Sequence, residues 1–65
     1  MKANEIRTLE QFASYINEQD DWTEEMWLIM ELNGWKDCDN DYDICESDSD
    51  ILTFGEDGKV YVTRK

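Results

Sequence analysis

The sequence predicts an α+β fold: two N-terminal helices packed on a three-stranded antiparallel β-meander, as a single acidic domain over 1–65. Three observations lead there. Apolar residues recur at helical spacing through the first half of the chain, and the period changes to alternation after Trp35. Short turn sequences, Ser47-Asp48-Ser49 and Gly55-Glu56-Asp57-Gly58, then separate the β-rich runs.

The first helix is expected from about Thr8 to Gln19. Thr8-Leu9-Glu10-Gln11 fits a capping box, in which the Thr hydroxyl and the Gln side chain each satisfy a backbone N–H. Leu9, Phe12, Ala13 and Ile16 then form one apolar stripe at i, i+3, i+4, i+7. The second helix is expected from about Thr23 to Asn33. Asp21 or Thr23 can cap it, and Glu24 and Glu25 suit the positive end of its dipole. Asn33-Gly34 is a stop, since Gly takes the left-handed conformation without steric cost.

Helix 2 has too many apolar residues for one buried face. Trp22, Met26, Ile29 and Met30 share a side, while Trp27, Leu28 and Leu32 widen the arc. Trp27 and Leu28 cannot both face the same sheet, so at least one of Trp27, Leu28 and Leu32 is expected to be exposed. An exposed Trp beside acids suits an interface anchor, with a partner or with a second copy.

The strands are expected at Asp41–Glu46, Ile51–Phe54 and Lys59–Thr63, the last two joined by a tight hairpin over Gly55-Glu56-Asp57-Gly58. Covering one sheet face with the helices buries Leu9, Phe12, Ile16, Met26, Ile29, Met30, Ile44, Leu52, Phe54, Val60 and Val62. A core that size supports a marginal fold, which dimerisation would strengthen.

Charge excludes more than it assigns. Six Lys and Arg stand against seventeen Asp and Glu, a net of −11, and there is no His. Without His there is no imidazole base, no Ser-His-Asp or Cys-His relay and no His-ligated metal. A strongly negative chain is a poor ligand for nucleic acid or an anionic membrane, because phosphate contacts need Lys and Arg. The longest apolar run, Met26–Met30, falls far short of the roughly 20 residues of a membrane span. The N-terminus carries no signal-peptide pattern, so the expected location is the cytoplasm, with Cys38 and Cys45 as free thiols. No cofactor or metal is expected. An EF-hand register from Asp37 places Tyr42 where the loop needs Gly and Asp48 where it needs Glu; one from Asp39 puts Ile44 at the Gly position. Two Cys with no His fall short of a zinc set. Carboxylates are plentiful, but so short a chain has little room to shelter a substrate, and catalysis is not expected.

From Thr8 to Gly58 sixteen acids face one base, Lys36. Asp37, Asp39, Asp41, Asp43, Glu46, Asp48 and Asp50 place seven acids in fourteen residues. If Asp37 to Asp43 is extended, its four carboxylates lie on one side about 6.5 Å apart, close to the repeat of phosphates along a nucleic-acid strand. Two readings follow. In the first, the chain is a non-enzymatic inhibitor that occupies a basic, nucleic-acid-handling protein through this row. In the second, Trp27 and Leu32 make an apolar contact while the acids only keep the domain in solution. In size and charge alone the chain resembles, as a broad class, phage-encoded anti-defence proteins that imitate DNA, including anti-restriction and anti-CRISPR proteins. That resemblance implies a DNA-mimicking inhibitor acting in the cytoplasm of a host cell. No motif matches a named family.

Overall fold

The computed structural model describes residues 3–19, 21–38 and 42–65. After a 3-10 turn at Ala3–Glu5 come α1 (Leu9–Asn17) and α2 (Glu24–Asn33), then four strands, β1 (Lys36–Asp37), β2 (Asp43–Glu46), β3 (Asp50–Phe54) and β4 (Val60–Arg64). The sheet is antiparallel throughout, in the order β1-β2-β3-β4. The α+β architecture and the meander are as the sequence implies. The expected three strands are four, because Lys36 and Asp37, shortly after the α2 stop, pair with Glu46 and Cys45 at the end of β2.

Both helices start where local chemistry dictates and α2 also stops there, while α1 ends at Asn17, two residues short of the expected Gln19. At α1 the Gln11 N–H donates to the Thr8 hydroxyl (3.1 Å) and the Thr8 N–H donates to Gln11 Oε1 (3.2 Å), the reciprocal pair of a capping box. Thr23 occupies the N-cap of α2 in extended conformation, and its N–H donates to Met26 Sδ at 3.5 Å. Gly34 ends α2 at φ 70°, and the Trp35 N–H closes back on the Met30 carbonyl.

The core forms between the helices and one sheet face, from Ile6, Leu9, Phe12, Ala13, Tyr15, Met26, Ile29, Met30, Cys45, Leu52 and Val60. Ile16, Trp35, Ile44 and Val62 pack against it partly buried. Two polar side chains fasten the layers. The Tyr15 hydroxyl donates to Glu25 Oε2 at 2.6 Å, joining α1 to α2. The Asn33 amide donates to the carbonyls of Ile6 (3.1 Å) and Ile29 (2.9 Å), holding the N-terminal turn on α2.

Of the expected core residues, Ile16, Ile44 and Val62 are only partly buried and Phe54 is exposed. A register shift between Asp43 and Cys45 changes the phase of β2, so Cys45 is buried and Ile44 only partly so. Burial pushes the Cys45 thiol up to about 12, helped by nearby Cys38 and Asp37; Cys38 is raised too, by burial and then by Glu46, Asp43 and Asp37. Both are free thiols. Phe54 points to the same side as Leu52, but the helices do not extend over it and it stays 43% exposed.

The β3–β4 hairpin carries a local pH signature. Gly58 takes φ 83°, and the turn lets the Tyr61 hydroxyl donate to the Asp57 carboxylate. That bond, seconded by the Lys59 N–H, holds the Asp57 carboxyl below its usual value, and it raises the Tyr61 hydroxyl above its own. The bond favours the folded hairpin at pH values above the ordinary carboxylate range. It is lost as pH falls through the lowered Asp57 value, and again as pH rises through the raised Tyr61 value. In an NMR titration Asp57→Asn is expected to return Tyr61 to the ordinary tyrosine range. A Tyr61 that already titrates there in the unaltered protein would rule the bond out.

Candidate interaction surface

Successive residues on a helix turn by about 100°, and α2 points Met26, Ile29 and Met30 at the core. The opposite side is not uniformly polar. Going round it, Trp27 comes first, then Glu31 and Glu24, then Leu28 and Leu32. Trp27 is 51% exposed, Leu28 50% and Leu32 69%. All three residues of the wide apolar arc therefore reach solvent, where the sequence demanded at least one. The face is an acidic stripe with an indole on one flank and two leucines, one turn apart, on the other.

Trp27 is braced. Its ring meets Trp22 edge-on with centroids 5.2 Å apart, Trp22 meets Phe12 at 6.4 Å, and Phe12 stacks on Trp35 at 5.4 Å. The exposed indole is thus the outer end of an aromatic chain anchored in the core. A side chain held this way loses little freedom on binding, the economy that makes Trp common at interface hot spots. Sequence reading found Trp27 and Leu32 but not the bracing by Trp22, which it assigned to the buried side of helix 2.

The seven clustered acids do not form a single row. β1 and β2 are antiparallel, with Lys36 opposite Glu46 and Asp37 opposite Cys45, so the chain reverses between Asp37 and Asp43. One straight strand carrying four carboxylates is therefore ruled out. Asp39 and Asp41 lie outside the described residues. Directly paired residues share a sheet face. Asp37 belongs with Cys45 and Leu52 on the helix side, and Asp50 is opposite Arg64 on that same side. Glu46 joins Lys36, Ile51 and Thr63 on the open face, while Asp43 joins Thr53 and Tyr61 there. Asp48 is exposed in the β2–β3 turn. Glu46 is engaged by Lys65 at 3.5 Å.

With seventeen acids and six bases, at least eleven carboxylates have no base of their own. The acids are spread over both sheet faces and α2, so the surface is negative on several sides. Among the described residues no three His, Cys, Asp or Glu side chains are grouped to hold a metal ion, and no helix is long and apolar enough to cross a membrane. No family model, curated protein or solved structure matches the chain.

Proposed function

We infer that this protein is a small acidic, non-enzymatic binding protein that occupies the basic surface of a nucleic-acid-handling protein. The observation that carries the reading is the outward face of α2, where Glu24 and Glu31 run between Trp27 and the Leu28–Leu32 pair. Such a face fits a basic ridge with apolar ground on either side. The net charge of −11 accelerates approach to a positive partner and makes the encounter salt-sensitive. It also weighs against self-association, since a second copy brings the same charge to the contact. Inhibition follows from occupancy: a nucleic acid and this protein compete for one positive surface. The acids of the β1–β3 region, Asp37, Asp43, Glu46, Asp48 and Asp50, contribute field in this reading, not a strand-like row.

Capture from a bacterial lysate tests it, at about 50 mM and about 500 mM salt, with rim charges acting mainly on association rate and salt dependence. Basic nucleic-acid-binding proteins are expected to be retained at low salt. Trp27→Ala should weaken their retention by about thirtyfold, the scale of a hot-spot Trp. The Glu24→Gln/Glu31→Gln pair should flatten the salt dependence. Retention untouched by both changes would reject α2 as the contact. A non-basic partner, held equally at both salts and lost with Trp27→Ala, would mean that the acids serve only solubility.

A further inference from the structure

A second surface, separate from the outward face of α2, lies along β4. This strand ends the sheet, and no strand lies beyond it among the described residues. Its pairing with β3 runs unbroken from Asp50↔Arg64 to Phe54↔Val60. The Gly55 N–H donates to the Lys59 carbonyl (2.7 Å) and the Lys65 N–H to the Ser49 carbonyl (3.0 Å). Odd-numbered residues therefore turn their backbone groups towards β3, and Val60, Val62 and Arg64 turn theirs outward.

One of those three is already satisfied, in a telling way. Asn17, the last residue of α1, accepts from the Val60 N–H through Oδ1 (2.9 Å) and donates from Nδ2 to the Val60 carbonyl (3.1 Å). Its side-chain amide makes the two bonds that a peptide unit of a neighbouring strand would make. Past Asn17 an open groove of about 590 Å³ runs between α1 and β4, lined by Glu10, Ser14, Asp50, Tyr61 and Arg64 among others. Natural sheets blunt such edges with Pro, bulges or very short strands. β4 has five residues, no Pro and no bulge, and of the charged side chains that also blunt edges it carries one, Arg64, at its last position.

We propose that the β4 edge is a strand-addition site for an extended, basic segment of a partner protein, which pairs with Val62 and Arg64 and stops at Asn17. The backbone groups of Val62 and Arg64 select an extended chain. On the side where the added strand faces α1, Glu10 and Asp50 outnumber Arg64 and favour Lys or Arg, and the Tyr61 ring favours an apolar residue on the other side. A second copy of this chain fits poorly. Pairing β4 with β4 about Val62 sets Arg64 against the Val60 groups that Asn17 already holds, and it brings two net charges of −11 together.

The probe is a fluorescent octapeptide of alternating Lys and Val, compared with a twin methylated at every internal backbone nitrogen. The twin keeps the charge and loses the donors. The Lys-Val peptide is expected to bind about tenfold more tightly than the twin, as two or three backbone hydrogen bonds allow, and to shift the amide resonances of Val62 and Arg64. Arg64→Pro removes one outward N–H and sets a ring in the path of the added strand without touching the β3 ladder, and should weaken binding of the Lys-Val peptide severalfold; Arg64→Ala keeps the N–H and should retain the preference. Thermal melts of both variants establish that they fold. Trp27→Ala should leave the preference intact, which separates this site from the α2 contact. Equal binding of the two peptides, or Lys-Val binding unchanged by Arg64→Pro in a folded variant, would overturn the proposal. So would dimerisation through β4 in sedimentation.

Discussion

Phe12→Ala is expected to cost the fold between about a third and all of its stability. Phe12 is fully buried, stacked on Trp35 at 5.4 Å and met edge-on by Trp22 at 6.4 Å. Truncating a buried Phe to Ala costs about 3–5 kcal/mol, the lost transfer free energy plus the cavity left behind. At typical values per residue a 65-residue domain has roughly 3–10 kcal/mol in total. The loss is therefore between about a third and all of its stability. Circular dichroism should show a melting transition lowered by about 12 °C or more, or absent, and Trp fluorescence should shift to the red where Trp22 and Trp35 lose their packing. Phe54→Ala is the contrast. That ring is 43% exposed beyond the helix layer, and its loss should cost about 1 kcal/mol, within the ordinary range for single substitutions. A Phe12→Ala protein melting within a few degrees of the parent would mean that the aromatic chain is not the centre of the core.

The same aromatic chain links stability to binding, because Trp27 is held at its outer end through Trp22. A substitution at Phe12 that spares the fold should still loosen Trp27. Substitution of Trp27 itself removes only a half-exposed ring and should leave the melt nearly unchanged.

What could be read from the sequence divides along physical lines. The α1 cap at Thr8 and Gln11 and the α2 stop at Gly34 are local events, decided by side chains within four residues, and both are found as expected. The excess of apolar residues on α2 predicted exposure of at least one of Trp27, Leu28 and Leu32, because no single flat layer can cover that arc. Features that depend on distant partners were not legible. β1 is two residues long and has no period to detect; it exists because Glu46 and Cys45 pair with it. Ile6 belongs to no periodic run and is buried because Asn33 holds the N-terminal turn against α2. The exchange of Ile44 for Cys45 needed the register shift in β2, and the exposure of Phe54 needed the reach of the helix layer. The aspartate row failed for a related reason. Spacing by two suggests an extended strand, but Asp37 and Asp43 fall on opposite sides of a chain reversal. Asn17 carried no signal at all, since an Asn near a helix end reads as a surface residue until the sheet edge beside it is known.

Raising sodium chloride from about 20 mM to about 500 mM is expected to stabilise the fold, because the Debye length shrinks from about 20 Å to about 4 Å over that range. Two like charges 10 Å apart in water repel by about 0.4 kcal/mol without screening. The molecule confines seventeen acids and six bases within 26 × 25 × 17 Å, and unfolding spreads them. Relief of about 1–2 kcal/mol corresponds to a rise in melting temperature of roughly 4–16 °C for a domain of this size. The measurement is a melt at each salt, repeated with choline chloride to exclude a sodium-specific effect. A melting temperature that does not move would mean that the acids impose no strain on the folded state, and the charge would then need no function to explain it. A rise on the predicted scale means that the fold tolerates a repulsion it could shed by substituting a few exposed carboxylates. Solubility requires only a modest net charge on a small domain. The excess therefore weighs on the side of recognition, and its cost at low salt is set against the fast, salt-sensitive approach to a basic partner that the same charges provide.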